Sequence, residues 1–332
     1  MYQSFFGLTK EPFAMTPDPA FLFLTGAHRE ALAGLSYAIL GGKGFVALTG
    51  DAGTGKTTLL TKMLRSIPSS RATFSVVLNP MLNPDEFLEM ALLDFGMRTV
   101  PASKAQRLVM LREYLGESRK QGKISVLVVD EAHKLSPSVL EEIRLLSNFE
   151  LADAKLLQIV LAGQNELATV LNREDLRQLK QRISVRLTLP ALSQTDVEHY
   201  VQHRWNKAGG QNHPFSPEAV GQIAYWSTGI PRLINALCDN SLVLAFGEGT
   251  TSVTAQHVDE IAADLELRNR QSRRGPAPRP IARAAGAASD GGSGQPAVGS
   301  FPTIERYSPE TSKPSRLTRL ATKLRLGEAR ES

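Results

Sequence analysis

Two hydrophobic periodicities alternate along residues 44–190. Short apolar runs rich in Val, Ile and Leu are separated by longer segments whose apolar positions recur with a helical period. The runs that predict β-strands are residues 45–49, 73–78, 124–130, 156–162 and 184–189. Because these runs are almost continuously apolar, we expect a mainly parallel central sheet that is covered by helices on both faces, an α/β fold.

After Pro190 the strand pattern stops and only helical periods follow. The predicted helices are residues 194–207, 216–226, 231–246 and 254–267. Their start signals are Ser193 or Thr195 for the first, Ser216 with Pro217 for the second, and Thr254 for the last. We therefore predict an N-terminal linker and first helix (1–43), an α/β core (44–190) and an all-helical second domain (191–267).

The composition changes again at about residue 268, where Pro, Gly, Ala, Ser and Arg dominate. Residues 270–332 hold 12 basic and five acidic side chains, a net charge of +7, so the rest of the chain carries −2 of the overall +5. Such a segment buries too little apolar surface to fold alone, which predicts a disordered basic tail over 268–332. The high isoelectric point is therefore a property of the tail and no evidence that the core binds nucleic acid.

The end of the tail, "KPSRLTRLATKLRL", places three leucines on one helical stripe among arginines and lysines. A basic amphipathic helix of this kind either lies on an anionic membrane or docks on a partner. The alternative is a solubilising end without a binding role.

Only one cysteine, Cys238, occurs in the chain, and its apolar surroundings predict a small buried helical residue. An intramolecular disulfide and a Cys-rich metal site are thereby excluded. The N-terminus lacks the pattern of a secretory signal, and no run of about 18 apolar residues is present. We expect a cytoplasmic protein, with peripheral contact at the inner membrane as the role left open for the tail.

The motif "GDAGTGKTT" lies between the first predicted strand and a predicted helix, and it matches the phosphate-binding P-loop pattern. Glycines let backbone N–H groups turn towards phosphate oxygens, Lys56 reaches the β- and γ-phosphates, and Thr57 ligates Mg²⁺. A glycine-rich turn that binds no nucleotide is the alternative, which the Lys-Thr pair disfavours. The candidate nucleotide-binding residues are Gly50, Asp51, Ala52, Gly53, Thr54, Gly55, Lys56, Thr57 and Thr58.

A second part of the candidate site is "ISVLVVDEAH", an apolar strand that ends in Asp130 and Glu131. Asp130 is predicted to hold Mg²⁺ and Glu131 to polarise the attacking water, although two carboxylates here could instead cap the next helix. The 74 positions from Lys56 to Asp130 leave room for a further strand and helix. The letters "DEAH" also occur in helicases, but no second sheet domain follows.

Together these segments resemble an AAA+ ATPase of the general secretion pathway protein A type. Three further segments carry the same resemblance: "FFGLTKEPFAMTPDPAFLFLTGAHREAL", "IVLAGQNEL" and "LRQLKQRISVRLTLPALS". This type is similar to origin-recognition and transposition-regulator ATPases, and the resemblance covers about residues 1–267. It implies an ATP hydrolase that uses ATP and Mg²⁺ and acts as a homo-oligomer.

The resemblance also implies roles for single residues. Asn79 matches the switch that orients the catalytic glutamate, Gln164 matches the first sensor of the γ-phosphate, and Arg232 matches a second sensor in the helical lid. For each of them an ordinary cap, turn or core-rim role is the alternative.

An arginine that acts on a neighbouring subunit is the last implied feature, and it stabilises charge on the transferred phosphoryl group. Arg182 lies at the matching position, with Arg177 and Arg186 as alternatives, and a solvated charged face is the competing interpretation.

The sequence predicts an ATPase that assembles or remodels a secretion, polysaccharide-export or surface-structure machine through a protein partner. The alternative is an ATP-switched DNA-binding regulator similar to transposition ATPases. Long members of the secretion type continue into a membrane span and a peptidoglycan-binding domain. Neither pattern is present in this sequence, so we do not expect direct binding to the cell wall.

Overall fold

Residues 2–16, 18–79, 81–151 and 154–267 are described by the structure, which is a computed structural model. The predictions of disorder and of an amphipathic helix in the basic tail, 268–332, lie outside these residues.

One five-stranded parallel sheet forms the centre of the fold, in the order β2-β3-β4-β1-β5. The strands are β1 (Phe45–Thr49), β2 (Ala72–Val77), β3 (Ile124–Val129), β4 (Leu157–Gly163) and β5 (Ile183–Thr188). Each lies within one residue of a predicted run at either end, and the predicted parallel α/β sheet is confirmed. In space, β4 separates the strand of the P-loop from the strand that ends in the two carboxylates.

Eleven α-helices occur among the described residues. Those before and between the strands are α1 (Gly26–Leu40), α2 (Lys56–Ser66), α3 (Pro84–Asp94), α4 (Lys104–Lys120), α5 (Pro137–Leu146), α6 (Glu166–Leu171) and α7 (Arg177–Arg182). After the sheet follow α8 (Gln194–Lys207), α9 (Pro217–Ser227), α10 (Pro231–Gly247) and α11 (Ala255–Asp264).

Alternate residues of each strand pack into two different apolar layers. In β1, Val46 and Leu48 pack with helices α1 and α2, whereas Phe45 and Ala47 pack with α3, α4 and α5. All four side chains are buried, because the sheet is covered on both faces. This double burial is the physical cause of the continuous apolar runs in the sequence.

The strands end together at one edge of the sheet. Val77 is in register with Val129, Val129 with Leu161, and Thr49 with Gly163. Since parallel strands share their direction, the polar residues that follow each strand meet at this carboxyl edge.

Helices α8 to α11 are called here the C-terminal helices, and α8, α9 and α11 begin at the predicted signals. Ser193 and Ser216 each accept a backbone N–H bond from the first turn, and Thr254 forms a capping box with His257. Cys238 is fully buried in α10, as predicted, and burial raises the pKa of its thiol.

Residues 2–16, called here the N-terminal segment, pack against the C-terminal helices. The Tyr2 hydroxyl donates to Asp239 at 2.5 Å, and the Thr9 backbone N–H donates to the Ala208 carbonyl at 2.8 Å. The Phe13 ring meets Phe215 edge to face. In the described part of the chain, no helix is long and apolar enough to cross a membrane.

Candidate nucleotide site

The loop between β1 and α2 has the conformation that a phosphate loop requires. Gly53 and Gly55 take φ values of +80° and +96°, which glycine adopts without steric cost. Gly55 is immediately followed by Lys56, the first residue of α2. The helix N-terminus and its free N–H groups therefore face the space above the loop, where an anion is favoured.

Lys56 is buried in this loop, with 5% of its surface exposed. Its Nζ donates to the carbonyl oxygens of Gly50 at 2.8 Å and Asp51 at 2.9 Å. Burial lowers the pKa of the Lys56 ammonium, against the opposing effect of Glu131 and other nearby carboxylates. The ammonium is therefore held at the mouth of the loop by neutral carbonyls, which bind a cation less strongly than phosphate oxygens do.

Thr57 and Asp130 bring two oxygen ligands together. The Thr57 hydroxyl donates to Asp130 Oδ2 at 2.6 Å, although 73 positions separate the two residues. Asp130 is 5% exposed, and its backbone N–H donates to the Val77 carbonyl at 3.1 Å, which anchors it to β2. The sheet register thus places the carboxylate beside the P-loop.

Glu131 follows in a left-handed backbone conformation, φ 53° and ψ 29°. Its backbone N–H donates to Asp130 Oδ1 at 2.8 Å. The Glu131 carboxylate lies 3.3 Å from Lys134 Nζ and 3.7 Å from His133 Nε2. This carboxylate lines the same cavity as Lys56 and Thr57.

His133 lies next to Glu131, the candidate catalytic group. The sequence does not predict a role for this histidine. Its Nδ1 accepts the backbone N–H of Gln164 at 3.3 Å, so Nε2 carries the proton and faces Glu131. A Cβ at Gly163 would lie 3.1 Å from the His133 backbone nitrogen, so the end of β4 approaches this turn closely. The signal for it in the sequence is the last letter of "DEAH".

The candidate switch residue and the candidate first sensor occupy the expected edge of the sheet, with different contacts. Asn79 is exposed and its side-chain oxygen accepts the backbone N–H of Met81, which is a local turn. Gln164 contacts the site through its backbone N–H to His133. It is the next residue, Asn165, whose side chain donates to Asp51 of the P-loop at 2.7 Å.

The remaining loop residues divide into structural and cavity-facing ones. The Thr54 side chain is buried and donates to the Asp51 carbonyl at 2.9 Å, which closes the turn. Ala52 is exposed at the tip, whereas Thr58 lines the cavity. Gly50 has no room for a side chain, because a Cβ there would lie 2.5 Å from the Leu189 carbonyl oxygen.

Helix α10 meets the P-loop at its first turn. The Arg232 backbone N–H lies 3.4 Å from the Gly53 carbonyl, and a Cβ at Gly53 would lie 2.8 Å from Arg232 Cβ. Gly229, with φ +75°, allows the preceding turn to pass close to the Leu192 carbonyl. The structure thus places Arg232 at the same cavity as Lys56.

The cavity above the P-loop has a volume of about 370 Å³ and is open to solvent. Three parts of the chain form it: residues near the end of the N-terminal segment, the P-loop with Glu131, and the C-terminal helices. The lining residues outside the loop are Ala14, Met15, Thr16, Asp18, Glu131, Tyr200, Arg204, Pro231, Arg232 and Asn235. A smaller slot of about 60 Å³ lies among Phe21, Phe23, Tyr200 and the P-loop.

Tyr200, Arg204 and Asn235 are lining residues that the sequence prediction did not find. The Tyr200 hydroxyl donates to Asn235 Oδ1 at 2.8 Å and accepts from Arg204 Nη1 at 3.0 Å. All three lie on the C-terminal helices, far from the P-loop in sequence. Only the packing of α8 and α10 over the sheet edge brings them to the cavity.

The three arginines considered for action on a neighbouring subunit differ in their surroundings. Arg182 is half-buried, and its Nη1 donates to the Arg144 carbonyl at 3.3 Å and to the Ser147 hydroxyl at the end of α5. Arg186 is exposed and donates to the Lys180 carbonyl at 3.2 Å, and Arg177 is exposed.

Comparison with known proteins gives a consistent result. Residues 39–171 match the family model of an AAA domain. General secretion pathway protein A of Aeromonas hydrophila is 42% identical over 271 residues, which are 80% of this chain and 48% of that protein. The chain therefore spans about half the length of this relative.

Solved structures share the fold at low identity. Cdc6p from Pyrobaculum aerophilum superposes with a TM-score of 0.62 at 18% identity, covering 77% of this chain and 71% of that one. The ORC1 protein of Aeropyrum pernix, in complex with DNA, has a TM-score of 0.61 at 19% identity, covering 77% and 70%.

Proposed function

We propose that this chain, which matches an AAA domain over residues 39–171 and is 42% identical to general secretion pathway protein A over 271 residues, binds ATP with Mg²⁺ and hydrolyses it to drive the assembly or remodelling of a protein machine. The observation that carries this proposal is the hydrogen bond between the Thr57 hydroxyl and the Asp130 carboxylate. It lies at the end of a glycine-rich loop whose carbonyls also bind Lys56. A hydroxyl and a carboxylate at this position are oxygen ligands, as Mg²⁺ prefers.

The residues present fit a nucleotide-bound Mg²⁺. Mg²⁺ is usually held by one or two protein oxygens together with substrate phosphates, and Thr57 and Asp130 supply that number. When bound, the ion neutralises charge on the β- and γ-phosphates. In our proposal Lys56 leaves the carbonyls of Gly50 and Asp51 and binds these phosphates from the loop.

Two further groups complete the proposed hydrolytic site within one chain. Glu131 accepts a proton from the attacking water, since it lines the cavity, with Lys134 Nζ 3.3 Å and His133 Nε2 3.7 Å from its carboxylate. Arg232 approaches the γ-phosphate from α10 as the second sensor. Asn79 and Gln164 keep their proposed roles as switch and first sensor, although in this structure Asn165 is the residue that contacts the P-loop.

The proposed assembly is a homo-oligomer in which an arginine of one subunit completes the site of the next. Arg182 is the first candidate, and Arg177 and Arg186 are the alternatives. Arginine supplied in this way stabilises the charge of the transition state and is worth roughly 10³ to 10⁵ in rate in known cases.

The proposed biological role rests on the 42% identity to general secretion pathway protein A. We propose that the chain acts at the cytoplasmic side of the inner membrane on a protein partner in a secretion, polysaccharide-export or surface-structure machine. The contact with the membrane is assigned in this proposal to the basic tail.

Two variants of the full chain test the ATPase proposal. Lys56→Ala should bind ATP at least about a hundredfold more weakly, because it removes the charged phosphate ligand. Glu131→Gln should bind ATP as the wild type does but turn over more slowly by about 10² to 10⁴. Titration with a fluorescent ATP analogue and a phosphate-release assay measure both, and full turnover by Glu131→Gln would contradict the assignment.

The DNA-binding alternative is supported by the fold shared with a protein solved in complex with DNA. It predicts that the part of the chain before the basic tail, residues 1–267, binds duplex DNA by itself. Duplex binding by residues 1–267 that weakens steeply with salt would support it, since neutralising DNA phosphates releases counterions. Binding that requires the tail would instead reflect the +7 charge of residues 270–332 alone.

A further inference from the structure

Arg204 is a buried charged residue that the proposed hydrolysis does not use. It lies in α8 with 8% of its surface exposed. Among the described residues, no carboxylate oxygen lies within 4.0 Å of its guanidinium. Burying a cation without an anionic partner costs free energy, so the surrounding residues or a ligand must compensate for the lost solvation of Arg204.

Neutral groups hold the Arg204 guanidinium on its protein side. Nε donates to the Pro12 carbonyl of the N-terminal segment at 2.5 Å, and Nη1 donates to the Tyr200 hydroxyl at 3.0 Å. The guanidinium carbon lies 5.1 Å from the centre of the Phe21 ring and 5.6 Å from that of Tyr200. These contacts fix the plane of the group but leave its charge without a counterion.

The cavity is where that charge can find a counterion. Arg204 lines both the large cavity above the P-loop and the smaller slot beside it. Of its five N–H donors, the bonds seen among the described residues use two. The remaining edge is therefore available to a ligand that brings negative charge or several acceptors.

We propose that Arg204 binds the nucleotide from α8 and, through the Pro12 carbonyl, couples nucleotide binding to the order of the N-terminal segment. This inference rests on the proposed function, since it requires that the cavity takes ATP. With a nucleotide in place, the guanidinium is held between an anion on one side and the carbonyl of Pro12 on the other. When all of its N–H groups donate hydrogen bonds, the Arg204 side chain is held more rigidly. The N-terminal segment, which is bonded to it through the Pro12 carbonyl, is then held more rigidly as well.

The contacts of the N-terminal segment make this coupling effective. The segment is hydrogen-bonded to Ala208, the residue after α8, through Thr9, to Arg204 of α8 through Pro12, and to α10 through Tyr2. Tyr200, the second partner of Arg204, donates to Asn235 of α10, the helix whose first turn carries Arg232. Arg204 therefore joins the cavity, both helices and the N-terminal segment in one hydrogen-bonded chain.

The test compares Arg204→Gln with wild type in the full chain. A non-hydrolysable ATP analogue should bind about 10- to 100-fold more weakly to the variant, the range expected for losing a hydrogen bond from a charged group. At saturating analogue, amide hydrogen exchange over residues 2–16 should slow in the wild type but not in the variant. A merely structural role for Arg204 would change exchange equally with and without the analogue.

Lys207→Gln is the matched control, because it removes one positive charge from the exposed side of the same helix. It should bind the analogue and protect residues 2–16 as the wild type does. If circular dichroism shows Arg204→Gln to be unfolded, Tyr200→Phe replaces it, with an expected loss of about 2- to 10-fold for one neutral hydrogen bond.

The outcomes separate the two proposals. Absence of analogue binding by wild type and Lys207→Gln alike would refute the ATPase function itself. Normal binding by the wild type, together with unchanged affinity or unchanged protection of residues 2–16 in the folded Arg204 or Tyr200 variant, would overturn the coupling by Arg204.

Discussion

At the scale of single residues, Glu131 shows how the site is fixed. Its left-handed backbone conformation costs on the order of 1–3 kcal/mol for a residue with a side chain, and a surrounding structure must maintain it. Bonds from its own backbone to Asp130 and contacts to His133 and Lys134 provide that support. The carboxylate is thereby directed into the cavity.

His133 connects this carboxylate to the end of β4, so its loss should affect turnover more than binding. We expect His133→Ala to lower kcat by about 10- to 100-fold, the range for a slightly misplaced catalytic group, with ATP affinity changed less than about twofold. A phosphate-release assay and an ATP titration measure the two quantities. His199→Ala, on the exposed side of α8, is the control and should leave both unchanged.

At the scale of elements, the N-terminal segment and α10 share a half-buried polar contact. The Tyr2 hydroxyl donates to Asp239, while Phe5 meets Phe246 further along the same helix. Burial raises the pKa of the Asp239 carboxyl, against the effect of the bond from Tyr2, and Glu11 raises it further. The folded state therefore holds the Asp239 proton more tightly than the unfolded chain.

The raised pKa of Asp239 makes the contact between the N-terminal segment and α10 dependent on pH. A carboxyl whose pKa is raised on folding contributes stability below its unfolded value of about 3.9, and that contribution is lost as pH rises through the folded value. We expect the urea midpoint of the wild type to fall relative to that of Asp239→Asn as pH increases from about 4. Parallel midpoints for the two proteins across this range would contradict the raised pKa.

At the scale of the whole molecule, the P-loop side of the site is complete within one chain, whereas the arginine is proposed to come from another. Arg182 is bonded to the end of α5 in its own chain, and Arg177 and Arg186 are exposed. For Arg182 to reach a neighbouring nucleotide, the bonds to Arg144 and Ser147 must be exchanged for a bond to phosphate. In the proposed oligomer, the position of the neighbouring subunit would therefore decide which arginine acts.

Mixing inactive variants tests the assignment of the arginine. Arg182→Ala should lower kcat by at least about 10³, and mixing it with Lys56→Ala should restore part of the activity, since one hybrid interface has an intact loop and an intact arginine. Arg177→Ala and Arg186→Ala are the matched controls and should remain active alone. Restoration only with one of these two would transfer the role to that residue.

Much of the fold follows from local pattern. The predicted bounds of the five strands and of the C-terminal helices lie close to the observed ones, because double burial gives continuous apolar runs and because caps such as Ser193 and Ser216 act within one turn. The predictions of the P-loop and of Asp130 also depend on local pattern, since each motif is contiguous in sequence and follows a strand.

The sequence by itself determined the strands, the helices and the phosphate loop, since these depend on neighbours a few residues apart. Only the tertiary structure decided that His133 faces Glu131, that Asn165 rather than Gln164 contacts the P-loop through its side chain, and that Arg204 reaches the cavity. The backbone of Gln164 that bonds the His133 ring, the P-loop residue that Asn165 contacts and the P-loop side of the cavity that Arg204 reaches all lie far from these residues in sequence, and no periodicity encodes such contacts. They form because the sheet register and the packing of α8 and α10 bring separate chain segments to one edge.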